Sequence, residues 1–262
     1  MSGDGDGTHF TLLGSAGVLG IDDLADRYRY PDDLRSCWVR ANMIASADGG
    51  ATSAGTSGAL GGDGDRAVFA TLRALCDVIV VGAQTVRVEN YSGVHFGAAE
   101  RQARQRRGQA EVPPIAVLTR TGQLDHTAKL FADTEVPPLI LTSAQAVEDT
   151  RTRLGSSAEV IDCSGAAPDS VDPQTALARL AERGLTRVLT EGGPGILGLL
   201  TAAGLLDELC LTVAPLLLGG AGGRIVAGAG EAHTAMTLEQ ALRDDHGYLY
   251  LRYVRRRGGG AG

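Results

Sequence analysis

Two glycine-bearing turns at the ends of apolar runs carry the clearest chemical signal in the sequence. In Thr190-Glu191-Gly192-Gly193-Pro194-Gly195-Ile196-Leu197 a strand pattern ends on an acid, glycines follow, and a helix pattern begins. Glycine lets backbone close on a ligand, and a helix start offers free N–H groups and positive potential to phosphate. The same composition also serves an ordinary strand-to-helix turn, and the spacing is not the G-x-G-x-x-G of the classical dinucleotide fold. Gly82-Ala-Gln-Thr85-Val-Arg is a second turn of this kind, where Thr85 could cap a helix or hydrogen-bond a cofactor. Ligands of open α/β sheets bind at the carboxyl ends of strands, so the pair of turns points to a dinucleotide or phosphate. A third turn, Ser46-Ala-Asp48-Gly-Gly, is followed by Gly55-Thr-Ser57-Gly. Asp48 is either a turn former or a carboxylate that orients a polar substrate or relays a proton.

These turns need a sheet to position them. Short apolar runs at Trp38–Ile44, Asp77–Gly82, Ile115–Thr119, Leu139–Thr142, Glu159–Asp162, Arg187–Thr190 and Leu209–Val213 read as strands. Asp77-Val-Ile-Val-Val-Gly is continuously apolar, as strands buried on both faces are. Between them, Asp63–Leu75 has helical spacing with Val68, Phe69, Leu72 and Leu75 on one face and Asp63 or Asp65 placed to cap it. Pro173–Arg183 and Ile196–Ala203 are further helices, and Ile21 to Tyr28 is another, ended by Pro31. Tyr248–Val254 alternates as an exposed or antiparallel strand would. The pattern predicts an α/β fold: a mainly parallel central sheet flanked by helices, with an antiparallel C-terminal strand. Residues 97–112, rich in arginine and glutamine, read as a polar loop or a solvated helix.

Composition limits the function classes. The 262 residues are 44% hydrophobic with a net charge of −7, enough for a sizeable core and unsuited to a phosphate-backbone partner such as nucleic acid. The four cysteines have no C-x-x-C spacing and read as reduced, and the five histidines have no ligand spacing, so no metal is expected. No apolar run approaches the ~20 residues that span a bilayer. The cytoplasm is the expected address. We expect a partly disordered N-terminal extension over 1–36, with 1–9 disordered, one domain over 37–256, and a disordered tail over 257–262.

Taken in order, Ser46-x-Asp48-Gly, Gly82-x-x-Thr85-Val-Arg-x-Glu89-Asn, Glu191-Gly-Gly-Pro and Leu205-Leu-Asp-Glu-Leu-x-Leu-x-Val-Ala-Pro-x-Leu-Leu-Gly-Gly resemble the C-terminal, reductase-domain family of riboflavin biosynthesis. The resemblance runs from about Trp38 to Val254. It implies a dihydrofolate-reductase-like fold, NADPH as hydride donor, commonly a homodimer, and reduction of the ribosyl group of a 5-amino-6-(5-phosphoribosylamino)uracil. Carried over by position, Thr85, Glu89, Thr119 and the turn from Gly192 through Gly193, Pro194, Gly195, Ile196 and Leu197 to Leu199 would contact the cofactor, with backbone from Ile44. Ser57, Arg73 and Glu191 would face the substrate. Arg120, beside Thr119, is the candidate for the 2′-phosphate of NADPH, or else a surface arginine. Asp48 and Glu191 are the acids available for proton or hydrogen-bond work.

The chain departs from the family at Ala59, where an aromatic is usual, at Tyr91, where proline is usual, and near Phe96, where an arginine grips the substrate phosphate. Arginines 101, 104, 106 or 107 would compensate if their segment folded over the site. The zinc deaminase that often precedes this domain needs H-x-E and P-C-x-x-C, both absent here. Two other activities are compatible with the sequence. One is pterin or dihydrofolate reduction, with Asp48 on the pterin ring; the other is NADPH binding without turnover.

Overall fold

The computed structural model describes residues 9–13, 18–228 and 230–256. Residues 1–8 and the tail 257–262, where disorder was expected, lie outside them. Among the described residues eleven strands form one sheet in the order β2-β1-β10-β11-β9-β3-β8-β4-β5-β6-β7. From β9 (Glu208–Ala214) through β3 (Trp38–Ser46), β8 (Arg187–Thr190), β4 (Val78–Gly82), β5 (Ile115–Leu118) and β6 (Leu139–Thr142) to β7 (Glu159–Asp162), every neighbouring pair is parallel.

The continuous apolar runs are explained by burial on both faces. On β4, Val78 and Val80 join the core under α7 (Pro173–Ala181) and α8 (Pro194–Ala202). Ile79 and Val81 face the opposite core, with α1 (Leu24–Arg27), α2 (Asp63–Leu75) and α6 (Ala144–Leu154). Ala116 and Leu118 alternate with Ile115 and Val117 on β5 in the same way. Asp172 caps α7, its side chain accepting from the Thr175 N–H at 2.8 Å, with Pro173 in the first turn as expected.

The antiparallel part is larger than the single strand expected. β11 (Leu249–Arg255) pairs with β9, β10 (Met236–Asp244) with β11, and β1 (Phe10–Leu12) with β10, leaving β2 (Val18–Leu19) outermost. The described residues before β3 are therefore packed into the molecule, and Phe10, Leu24 and Tyr28 are all core residues. Beneath it Arg40, fully buried, pairs with Glu208 at 2.8 Å and donates to the Tyr28 carbonyl at 2.7 Å. The four cysteines are free, as expected.

Residues 97–112 are corrected in one respect. They contain the helix α4 (Ala98–Arg106), preceded in the chain by the short α3 (Ala83–Val88), but the segment is not simply a solvated face. Arg104 is fully buried and donates to the carbonyls of Cys76 (2.7 Å), Ala74 (3.0 Å) and Ala110 (2.8 Å), closing the C-terminal end of α2. A long side chain carrying several donors can saturate the carbonyls left open where a helix stops.

Candidate active site

A cleft of about 1060 Å³ runs across the carboxyl ends of β3, β8, β4 and β5, neighbours in the sheet. The two turns singled out in the sequence meet there. The Gly82 N–H donates to the Gly192 carbonyl at 3.0 Å. A side chain at Gly82 would meet Ile196 at 3.1 Å, and one at Gly193 would meet the Thr85 hydroxyl at 2.8 Å. Glycine is required for this approach, and at Gly192 also for a φ of +94°. Thr85 does not cap α3; Gly82 holds the cap position without a side-chain bond, and Thr85 lines the cleft.

Ile44, Gly82, Thr85, Glu89, Thr119, Arg120, Gly193, Pro194, Gly195 and Ile196 all line this cleft, as do Ser57, Arg73 and Glu191. Four of the expected contacts, Gly192, Leu197, Gly198 and Leu199, do not. Leu197 is fully buried in the core under α8, Leu199 packs against the same core, and Gly198 is buried against the Ala227 carbonyl. Gly192 is buried behind the lining, where its carbonyl holds the Gly82 loop. Asp48 is also absent from the lining. Its carboxylate accepts from the Ser46 hydroxyl and from the N–H groups of Gly219 (2.7 Å) and Leu218 (3.1 Å). These bonds, the Ser46 hydroxyl first, hold the carboxyl down to about 2. Asp48 is thus placed as a tie between the loops after β3 and β9.

The other end of the cleft is built around Arg73. Its guanidinium grips Glu191 with two bonds, Nε to Oε1 at 2.7 Å and Nη2 to Oε2 at 2.6 Å, and the Tyr91 hydroxyl donates to Oε2 at 2.6 Å. Phe69 lies under the same guanidinium, 4.2 Å from the ring centre. Burial opposes the charge on Arg73, but the Glu191 carboxylate more than offsets it and raises the guanidinium further. The Tyr91 hydroxyl is pushed well above its ordinary range by burial and then by Glu191, so it remains a donor. Glu89 accepts from the N–H and hydroxyl of Ser57 at 2.9 and 3.0 Å.

Sequence reasoning missed Asp65, Phe69, Tyr91, Asn42 and Ala227, all of which line the cleft. Asp65, Phe69 and Arg73 recur every four residues, so the position of Arg73 carries the signal for the other two. Phe69 is not on the core stripe of α2 with Val68, Leu72 and Leu75; it turns toward the cleft. Neither Asp63 nor Asp65 caps α2, since Gly62 occupies that position. No arginine of the 97–112 segment reaches the cleft: Arg101 is paired with Glu135 at 2.7 Å, and Phe96 is packed against the core.

The cleft's nucleotide-sized volume, the α8 start and Arg120, whose guanidinium has no partner among the described residues, fit a phosphorylated dinucleotide. The same described residues include no metal-binding cluster.

Comparison with known proteins places this architecture. Residues 37–250 match the model of the RibD C-terminal domain. The riboflavin biosynthesis protein RibD of Bacillus amyloliquefaciens is 30% identical over 188 residues, 70% of this chain, but the match spans about half of that protein, 47%. The 2,5-diamino-6-ribosylamino-4(3H)-pyrimidinone 5′-phosphate reductase of Methanothermobacter thermautotrophicus is 29% identical over 206 residues, covering 77% of this chain and 90% of its own. A pyrimidine reductase-like protein of Corynebacterium diphtheriae superposes with a TM-score of 0.79 at 26% identity, over 92% of this chain and all of that one. The chain belongs to the RibD C-terminal domain family of riboflavin-biosynthesis reductases.

Proposed function

We propose that this protein is an NADPH-dependent reductase that acts on the ribosyl carbon of a 5-amino-6-(5-phosphoribosylamino)uracil-type pyrimidine in riboflavin biosynthesis. The observation that carries the proposal is the meeting of the β4 and β8 loops, Gly82 N–H on the Gly192 carbonyl, at the floor of the cleft. When bound, the nicotinamide cofactor supplies the hydride. The protein's task is to place, orient and desolvate.

Thr85, Thr119 and the Gly193–Ile196 turn are the cofactor-holding residues, with backbone from Ile44. Arg120 takes the 2′-phosphate, since a free guanidinium pairs bidentately with phosphate oxygens. Glu89 steadies Ser57 through two bonds and so shapes the wall between the cofactor and substrate ends. Glu191, whose two oxygens already accept from Arg73 and Tyr91, is placed as an acceptor that orients substrate N–H or O–H groups. The pterin alternative loses its contact, because Asp48 is tied to Leu218 and Gly219 outside the cleft.

Calorimetric titration with NADPH and NADH tests the cofactor assignment, and tighter binding of NADPH is expected. Steady-state assays with the phosphoribosylaminouracil against dihydrofolate test the substrate; turnover of dihydrofolate alone would overturn the proposal. A homodimer and a cytoplasmic address belong to the same proposal. The described residues include no helix long and apolar enough to cross a membrane, which is compatible with that address. Light scattering on the purified chain measures the assembly.

A further inference from the structure

Among the described residues three carboxylates line the cleft: Asp65, Glu89 and Glu191. Glu191 spends both oxygens on Arg73 and Tyr91, and Glu89 is held through Oε1, which accepts both the N–H and the hydroxyl of Ser57. Asp65 makes no ion pair among the described residues, and Arg66, next to it on the helix, pairs instead with Asp63. It stands two helical turns from Arg73 on the cleft face of α2, with Phe69 between them. Its side chain bonds that of Thr212, which is buried on β9 directly across from the cleft-lining Ile44. The carboxyl is packed against the Gly61 backbone, so closely that a Cβ there would lie 2.9 Å from Oδ2.

We propose that Asp65 is the proton donor of the reduction, an inference that rests on the reductase activity proposed above. Reduction of a ribosylamine to a ribityl chain adds a hydride to C1′ and breaks the C1′–O4′ bond. The alkoxide oxygen O4′ then needs one proton. The Asp65 carboxyl gives it, becomes a carboxylate, and is reprotonated from solvent. The sugar carbon is reduced by two electrons and a reduced nicotinamide dinucleotide is oxidised by two. Asp65 is suited to this because burial, its largest influence, raises the carboxyl above the usual aspartate range, while the Thr212 bond and Arg66 pull against that rise. The other groups around it are Asp63 on its own helix, Asp244 at the end of β10, Tyr248 just before β11 and Tyr250 on β11. Asp244 is occupied by the Tyr250 hydroxyl at 2.8 Å, and the Tyr248 hydroxyl donates to the Leu60 carbonyl at 3.1 Å. None of them competes as a cleft acid.

The test uses the full chain with Asp65→Asn, Asp65→Glu and, as a control on the exposed face, Asp63→Asn. Asp65→Asn should lose about a hundredfold or more in kcat/KM, the range of a general acid, with NADPH affinity kept within about twofold. The wild-type rate should fall as pH rises through the Asp65 midpoint. That alkaline limb should vanish in Asp65→Asn and return in part in Asp65→Glu, while Asp63→Asn matches wild type. Carboxyl-carbon NMR of the cofactor-free protein supplies a readout independent of turnover: the resonance missing from Asp65→Asn should titrate above the ordinary value of about 3.9. A midpoint at or below that value, or an Asp65→Asn enzyme within about threefold of wild type, overturns the proposal. A wild-type protein that turns over no ribosylaminopyrimidine with NADPH overturns the reductase proposal itself, and this one with it.

Discussion

Arg73 and Glu191 form a two-bond ion pair across 118 residues of chain, joining α2 to the end of β8 with Glu191 only 2% exposed and Arg73 18%. Removing one partner leaves a buried charge with nothing to offset it. Glu191→Gln should therefore cost about 3 kcal/mol of stability in urea unfolding. The double variant Arg73→Met with Glu191→Met should regain most of that, because both charges go together. A Glu191→Gln protein as stable as wild type would show that the pair contributes little.

Arg120 offers a cleaner test of cofactor choice, since its guanidinium has no partner among the described residues. Arg120→Ala should weaken NADPH by about tenfold to a hundredfold, the value of one or two charge-assisted hydrogen bonds, and leave NADH unchanged. Equal losses for both nucleotides would move the 2′-phosphate elsewhere.

Asp48 predicts a local pH dependence. Its folded-state value, about 2, is depressed below the usual range by the Ser46 hydroxyl and the Gly219 and Leu218 N–H groups. The tie is therefore complete above the unfolded value of about 3.9 and is lost as pH falls through about 2. Amide exchange at Leu218 and Gly219 should speed up on that acid side in the wild type. In Asp48→Asn those amides should exchange faster throughout, without the same acid transition. Unaltered exchange in the variant would rule out the tie.

Much of this molecule is legible in its sequence because local pattern and tertiary role agree. The run Val78–Gly82 is apolar at every position because both of its faces are covered, and it does form a central parallel strand. Gly82 and Gly193 are glycines because two loops cross there, and that crossing floors the cleft. What stayed hidden depends on which way a side chain turns. Asp48 and Asp65 are both acids near helix or strand ends, but only the fold aims one at a neighbouring loop and the other at the cleft. β10 carries little signal because Glu239 and Gln240 interrupt its pattern at the register shift between Leu238 and Gln240.

Arg104 is the sharpest case, a buried arginine inside a charge-rich segment. Among the described residues no carboxylate pairs with it; it donates instead to backbone carbonyls at the end of α2. Burial lowers its basicity from the usual guanidinium value, yet arginine remains charged at any ordinary pH. Arg104→Met should cost about 1–3 kcal/mol by leaving the Ala110 carbonyl without its donor, while Arg107 and Gln109 still donate to the Ala74 and Cys76 carbonyls, and Arg104→Lys should recover only part of it. Chemical denaturation of the three proteins decides this, and an unchanged midpoint in Arg104→Met would show that water replaces the guanidinium.

Gly198 couples the helix at the cofactor end to the chain that closes the cleft. A Cβ there would lie 1.9 Å from the Ala227 carbonyl oxygen, a backbone atom that cannot rotate away. Ala227 lines the cleft, and its N–H donates to the Pro194 carbonyl at 3.0 Å at the head of α8. The added methyl in Gly198→Ala must therefore displace the segment around Ala227 and break that bond. Helix propensity alone would favour alanine over glycine by about 1 kcal/mol, whereas overpacking of this kind costs about 1–3 kcal/mol. We expect the clash to win, with lower thermal stability and NADPH binding weakened several-fold. Stabilisation by Gly198→Ala would instead mean that the 227 segment does not rest on α8, and that the wall of the cleft it supplies is absent in solution.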